Sequence, residues 1–314
     1  MEPSYRFSGH ETFACRYAWL PKATKELASE PLLFTGEFED EAMVRLGVGK
    51  NMVRAIRFWA EVSGVTEARE EGGARVSSFG TRLLLGQAGV EALDPFLEDI
   101  QTLWLLHWNI STQMSAPLFA WDFLLNRWQL PHLTRTSVLQ AFRSEANLQK
   151  RELSDVTLDQ HWDVFLHTYV PTRGKKGEVL EDSLDSPFTE LDLFHREGIR
   201  EATGQPGKSE TIYAFNRNEK PEIGMELFAW CLDEFWRKRH SSELTMSFGT
   251  LVSGHGGPGQ IFKLPEDDIR QRLERIESVT DGQMKFNDAA LTPKVERQSM
   301  QPISWENIYG AACL

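Results

Sequence analysis

Three groups of side chains in this sequence have the types and spacing that do chemistry. Between Glu178 and Asp192 stand Glu178, Glu181, Asp182, Asp185, Glu190 and Asp192 with no basic residue, a local charge of −6. Carboxylates this dense repel one another unless water or a cation neutralises them. A hard cation such as Mg²⁺ takes oxygen ligands, often one or two protein carboxylates completed by water and a substrate phosphate. At a phosphodiester, that ion polarises a phosphoryl oxygen and activates a water nucleophile. Glu181, Asp182, Asp185 and Glu190 are the candidate metal ligands. A solvent-facing acidic loop or helix start would carry the same pattern, so both readings stand at this point.

The second group lies in FSGHETFACRYAWLPKA, where His10, Glu11 and Arg16 fall within seven positions. They are the candidate catalytic residues: His10 for proton transfer, Glu11 for metal binding and Arg16 as a phosphate clamp. HETFA lacks the second histidine of the zinc-protease helix motif. An N-terminal arm docked by Phe7, Phe13 and Trp19 is the alternative. The third group is Lys50, Asn51, Arg54 and Arg57, the candidate DNA-binding residues. From Arg45 to Trp59 there are four basic residues and no acidic one, inside a chain with 34 Lys and Arg against 46 Asp and Glu, net −12. Such overall acidity argues against a polybasic nucleic-acid coat or membrane-surface protein, because phosphate attraction supplies most non-specific affinity. Contact with DNA would be confined to this one face. Asn51 could read adenine through its amide, or merely cap the helix.

The elements that position these groups can be read from periodicity. One helical piece is expected from Pro21 to Glu30 and a second in EFEDEAMVR. The glycines of Leu46-Gly47-Val48-Gly49 permit the turn between helices. In KNMVRAIRFWAEVSGV, Val53, Ile56 and Ala60 fall at helical spacing flanked by Met52 and Trp59, while Lys50, Arg54 and Arg57 occupy another face. EAREEGGARVSSFG reads as a hairpin turning at Gly72-Gly73. This is the order of a winged helix-turn-helix, which lays its second helix in the major groove and its wing on the backbone. A helical hairpin packed in a core, its basic face solvated, would show the same order. Asp94-Pro95 reads as an N-cap with proline at the first helical position, opening FLEDIQTLWLLHWNI, whose apolar residues nearly all round imply burial. His107, between Trp104 and Trp108, reads as a structural histidine before a catalytic one.

WDFLLNRWQLPHL and VTLDQHWDVFLHTYV continue as amphipathic helices. PTRGKKGE marks an exposed linker near residues 171–178. Beyond it come a hairpin around GQPGKSETIYAF, a helix through ELFAWCLDEFWRKRH, the loop SGHGGPG leading into a short strand QIFKL, and a charged helix PEDDIRQRLERIESV. The expected fold class is mainly α with small β-hairpins (α+β): an N-terminal winged helix-turn-helix-like unit plus a helical C-terminal domain. The expected spans are 1–92, a winged-helix-like DNA-binding domain with an N-terminal arm; 93–170, a helical middle region; and 171–314, a C-terminal α+β domain with the acidic cluster.

Cys15, Cys231 and Cys313 are far apart and lack CxxC spacing, so reduced thiols are expected and neither a disulfide framework nor a structural zinc site is. No run approaches the roughly 18 apolar residues of a membrane helix, and the first residues lack an apolar signal core. A cytoplasmic protein without membrane contact is expected. SGHGGPG lacks the spacing of a phosphate loop, and no dinucleotide, nucleophile-elbow or kinase signature is present, so ATP and NAD have no support.

FSGHETFACRYAWLPKA, LGVGKNMVRAIRFWAE, DPFLEDIQTLWLLHW, EDSLDSPFTELDLF and PGQIFKL occur in that order from about residue 6 to the C-terminal helix and strand. Together they resemble a prokaryotic DNA-phosphorothioation-associated family long classed as a domain of unknown function. That family includes the DNA-nicking B component of the Ssp phosphorothioation system, which puts sulfur into the DNA backbone in antiphage defence. The resemblance implies a Mg²⁺-dependent nickase on double-stranded DNA, working beside a cysteine desulfurase, an ATPase and an ATP-pyrophosphatase-like protein. It carries over to His10, Glu11 and Arg16; to Lys50, Asn51 and Arg54; and to Glu181, Asp182, Asp185 and Glu190. Where the family's acidic motif tends to have a cysteine and a glycine, this chain has Ser186 and Asp192, so Asp192 is left outside the carried-over set. The expected activity is a DNA-nicking endonuclease; the alternative is a non-catalytic DNA-binding adaptor that recruits the sulfur-transfer enzymes.

Overall fold

The computed structural model describes residues 5–149, 153–171, 186–204, 206–289 and 291–313. Its Cα packing groups the chain into two units: residues 1–120 with 129–215, and residues 121–128 with 216–314. Both mix helices with small antiparallel sheets, so the fold is α+β.

Unit 1 begins with an arm followed by α1 (Trp19–Ser29), which buries Trp19, Leu20, Ala23 and Leu27 on one side. In α2 (Glu39–Leu46) the first turn carries Glu39, Asp40 and Glu41, negative charges that suit the positive end of the helix dipole. Gly47 ends it in the left-handed region, φ 68°, where a side chain would be strained. After two further residues α3 (Lys50–Val62) buries Val53, Ile56, Phe58, Trp59 and Val62 and leaves Lys50, Asn51, Arg54 and Arg57 outward. Strands β1 (Thr66–Ala68) and β2 (Ala74–Val76) pair antiparallel with Thr66 opposite Val76. Their turn uses Gly72 and Gly73, both at positive φ. At Gly73 a Cβ would also sit 2.4 Å from the Pro31 carbonyl oxygen.

A short helix α4 (Ser78–Gly80), capped by Ser77, continues as a wider π-type turn. The expected helix start at Asp94-Pro95 is corrected by the structure: α5 runs Ile100–Ser111 and is capped by Asp99, whose carboxylate accepts from Gln101 N at 2.8 Å. Asp94 is buried and spends both carboxylate oxygens on the amides of Glu98 and Asp99. It closes a turn that needs Leu97 at φ 59°, a conformation no helix can include. From there α5 is buried nearly all round, and His107 within it meets the Tyr169 hydroxyl at 2.7 Å.

Helix α6 (Phe119–Asp122) carries the chain from unit 1 into unit 2. Back in unit 1, α7 (Arg135–Leu148) starts with a Thr134/Ser137 capping box and α8 (Asp155–Tyr169) with Ser154 as cap. The sheet has order β3-β5-β4, from β3 (His132–Leu133), β4 (Phe194–Glu201) and β5 (Ser209–Phe215). Its apolar side holds Phe194 stacked on Tyr213, centroids 5.4 Å apart.

Unit 2 is built on α9 (Met225–Arg239), which buries ten of its residues. A second sheet has order β6-β8-β7, with β6 (Thr245–Ser247), β7 (Met284–Asn287) and β8 (Lys294–Arg297). Helices α10 (Phe248–Ser253), α11 (Pro258–Phe262), α12 (Glu266–Glu274) and α13 (Ile276–Val279) complete it. The expected strand QIFKL is instead mostly the helix α11: Pro258 starts it and Lys263 stops it in the left-handed region at φ 54°. A buried ion pair, Asp233 with Arg297, ties α9 to β8, and Asp233 also holds Arg237 at 2.8 Å and the Ile303 amide at 3.2 Å. No described helix is long and apolar enough to cross a membrane.

Candidate functional site

The outward side of α3 is set by its own periodicity: its apolar residues are buried and its basic residues are exposed. Lys50 and Arg54 are about half exposed and Asn51 is exposed. They do not stand as bare charges. Lys50 Nζ lies 2.6 Å from one oxygen of Glu39 and Arg54 reaches the other at 3.4 Å. The Lys50 hydrogen bond holds the Glu39 carboxyl below the usual carboxylate range. Arg57 donates to the Phe34 carbonyl at 3.2 Å, and Arg45 pairs with Glu41 at 2.8 Å and Glu26 at 3.5 Å. Residues 45–59 contain no acid, yet the first turn of α2 supplies one between two of their cations. Glu39 is therefore a member of this surface that linear charge counting misses, although EFEDEAMVR places it one short helix and a loop ahead of α3.

The N-terminal arm is fastened along its length. Arg6 bridges Leu118 and pairs with Glu61 at 2.7 Å, Phe7 packs on Phe119 at 4.7 Å, and the Trp59 indole donates to Phe13 O at 3.0 Å. His10 is 3% exposed. Its Nδ1–H donates to Glu11 O at 2.8 Å and its Nε2 faces His161 Nδ1 at 3.1 Å; His161 Nε2–H donates to Phe7 O. Carbonyls only accept, so these three contacts need three ring protons, one more than two neutral imidazoles carry. Burial nevertheless dominates, lowering His10 to about 4 and His161 to about 3. Both nitrogens of His10 are thus taken up inside the protein. Glu11 is half-buried at φ 54°, and the Arg16 guanidinium lies 5.6 Å over the Trp19 ring. Cys15, in the same arm, is fully buried and burial pushes its thiol far up, which removes it as a nucleophile.

Helix α8 is the post on which the arm and the acidic motif meet. His161 holds the arm, and one residue from the helix end Thr168 O accepts from Ser186 Oγ at 2.8 Å where the acidic motif leaves toward β4. The 3₁₀ turn Pro187–Leu191 packs Phe188 near Tyr169. Next to it the Tyr17 hydroxyl donates to Glu190 Oε1, so the arm and the acidic motif are joined directly. Partial burial and that carboxylate raise the Tyr17 hydroxyl well above a free phenol. His161 and Tyr17 carry no sequence signal for these roles, since their partners lie 151 and 173 positions away.

Beside Asp192 opens a cleft of about 450 Å³ lined among others by His167, Thr189, Asp192, His195, Arg196 and Tyr213. Asp192 takes a left-handed φ of 41° at the end of the 3₁₀ turn. Of the four expected metal ligands only Glu190 is among the described residues; Glu181, Asp182 and Asp185, like most of the linker expected at 171–178, lie outside them. Among the described residues no three His, Cys, Asp or Glu side chains converge as a metal site. Glu190 offers one carboxylate, half engaged by Tyr17, and the described side chains do not make a magnesium site by themselves.

A family model described as a protein of unknown function, DUF4007, matches residues 7–309. Among solved structures the chain is similar to magnesium ion-bound SspB, at 26% identity over 94% of this chain and 83% of that one, with a TM-score of 0.77. A second SspB crystal structure, at 24% identity over the same shares and a TM-score of 0.73, shares the fold. No curated protein matches the chain.

Proposed function

The chain belongs to the DUF4007 family, and from that premise we propose that it is an SspB-like component of a bacterial DNA phosphorothioate system of antiphage defence, a Mg²⁺-dependent nickase acting on double-stranded DNA. The observation that carries the DNA part is the outer side of α3, where Lys50, Asn51, Arg54 and Arg57 lie together between the Gly47 turn and the β1–β2 hairpin. In this reading the unit works as a winged helix: α3 enters the major groove, and its cations take phosphates as Glu39 gives them up. His10 positions the arm from inside and does not touch substrate. Tyr17 then fixes Glu190, the described end of the acidic motif, against the arm.

The likeness to magnesium ion-bound SspB supports a divalent cation, and we assign its oxygen donors to Glu181, Asp182, Asp185 and Glu190. The protein would work beside a cysteine desulfurase, an ATPase and an ATP-pyrophosphatase-like protein, opening the strand whose backbone oxygen is replaced. The test is conversion of supercoiled plasmid to open circles by purified protein, with and without Mg²⁺. Asp182→Ala with Asp185→Ala should abolish conversion and leave DNA binding intact. Unchanged nicking by the double variant removes the ligand assignment. A protein that binds DNA but nicks at no Mg²⁺ or Mn²⁺ concentration is the adaptor that the sequence also allows.

A further inference from the structure

In unit 2 the loop Gly254-His255-Gly256-Gly257 presents one functional side chain on a backbone made almost wholly of glycine. Close approach explains the glycines. A Cβ at Gly254 would sit 2.3 Å from Thr250 O, one at Gly259 2.3 Å from Val252 O, and one at Gly256, whose φ is 78°, 2.7 Å from Arg239 Nε. The loop is also pinned from α6 and the turn after it: Gly256 N donates to Asn126 Oδ1 at 2.7 Å. Beside that bond His255 Nε2–H donates to Asp122 Oδ1 at 2.7 Å. The Asp122 side chain is 6% exposed and that of His255 41%. Asp122 thus lies inside with Arg127 Nε 3.7 Å from its other oxygen, while the imidazole reaches outward. Because the carboxylate can only accept, the proton sits on Nε2, and His255 Nδ1 carries the lone pair with no hydrogen bond among the described residues.

A buried carboxylate that fixes one nitrogen of a partly exposed imidazole is the arrangement of a general base, which needs orientation and a counter-charge for the imidazolium it forms. Charged groups meet this loop from α6 (Asp122, with Arg127 behind it) and from α9, whose Arg239 guanidinium lies against Gly256. A guanidinium beside a general base selects an anionic substrate. The geometry points to a proton-transfer dyad, Asp122 and His255, that acts on a phosphodiester held by Arg239. His255 Nδ1 takes a proton from water as the water oxygen bonds to phosphorus. The ester P–O bond breaks, its electron pair stays on the leaving oxygen, and that oxygen takes a proton from solvent. His255 is the catalytic residue of this proposal and Asp122 its positioning residue. The substrate class rests on the phosphodiester-cleaving reading above, whereas the dyad rests on unit 2 alone.

Two readouts separate the two ideas, both on the full chain with folding checked by circular dichroism. The first is plasmid nicking across pH 5 to 9 by wild type, His255→Gln, Asp122→Asn and Arg239→Gln. The expected result is a loss of roughly 100-fold or more for His255→Gln, a smaller loss for Asp122→Asn with the acid limb of its pH profile moved lower, and a raised KM for Arg239→Gln. Full activity and an unchanged profile in His255→Gln overturn the dyad and leave the nicking reading standing. The second readout is ¹⁵N NMR of the histidine rings on adding a short oligothymidylate. It should move His255 Nδ1 in wild type and much less in Arg239→Gln. If wild type nicks nothing, the nicking reading falls and this readout decides: no movement of His255 Nδ1 overturns the dyad as well.

Discussion

Glu39 is the residue whose replacement discriminates best between a DNA-reading α3 and a merely solvated one. Its carboxylate spans Lys50 at 2.6 Å and Arg54 at 3.4 Å, so any phosphate approaching these cations must displace it. Glu39→Gln removes one negative charge and releases two cations. Affinity for duplex DNA falls with salt by a slope of about 0.9 per phosphate neutralised. The variant should therefore steepen the plot of log K against log salt by ~0.9, for the one negative charge removed from the interface. Between 50 and 200 mM salt, a fourfold change, this amounts to about 3-fold more salt loss than wild type, on top of tighter binding at the low end. Fluorescence anisotropy with a labelled duplex of about 25 base pairs over that range measures it. Exposed ion pairs contribute little to stability, so the variant should fold normally. An unchanged slope and affinity in Glu39→Gln would show that the outer side of α3 meets water and not phosphate.

The remaining expectations follow from the same geometry. Replacing Lys50, Arg54 and Arg57 together by Gln should weaken binding to all duplex sequences and flatten the salt slope by up to ~2.7, read in the same titration. Acid should destabilise the arm. His10 and His161 are lowered to about 4 and about 3, so between pH 6.5 and those values the unfolded chain binds protons that the folded pair refuses, and stability falls as pH drops. The limiting slope is about 1.4 kcal/mol per pH unit for each histidine, and His161→Gln should remove its share in urea unfolding compared at pH 7 and pH 5. Gly259→Ala puts a methyl 2.3 Å from Val252 O and should cost on the order of 1–3 kcal/mol in thermal or urea unfolding.

What the sequence makes legible is what local periodicity controls. The amphipathic stripe of α3, the left-handed stop at Gly47 and the paired glycines of the β1–β2 turn are all settled within a few residues, and each stands where its pattern places it. The helix expected through WDFLLNRWQLPHL stops at Arg127 and gives way to β3, and two further local signals that misled involve proline. Asp94-Pro95 has the chemistry of a helix start, but Leu97 in the left-handed region forces a separate turn and hands the cap to Asp99. QIFKL has the apolar residues of a strand, yet Pro258 pre-sets a helical φ and Lys263 ends that helix one turn later. In each case the residue that decides is a non-glycine at positive φ, held there by packing, and composition carries no mark of it.

The pairs on which the proposed chemistry rests are of another kind. His10 meets His161 across 151 positions, Tyr17 meets Glu190 across 173, and His255 meets Asp122 across 133. Periodicity over one or two helical turns cannot see such distances. Burial then assigns the roles. His10, in a segment rich in reactive types, has both nitrogens enclosed, whereas the His255 ring, in a glycine loop that matches no nucleotide motif, is 41% exposed with a buried carboxylate on its Nε2. A histidine can exchange protons with a substrate only through a nitrogen the substrate can reach. On that criterion we assign the proposed proton transfer to the loop of unit 2 and not to the arm of unit 1, whose histidine is enclosed by Glu11, His161 and Phe58.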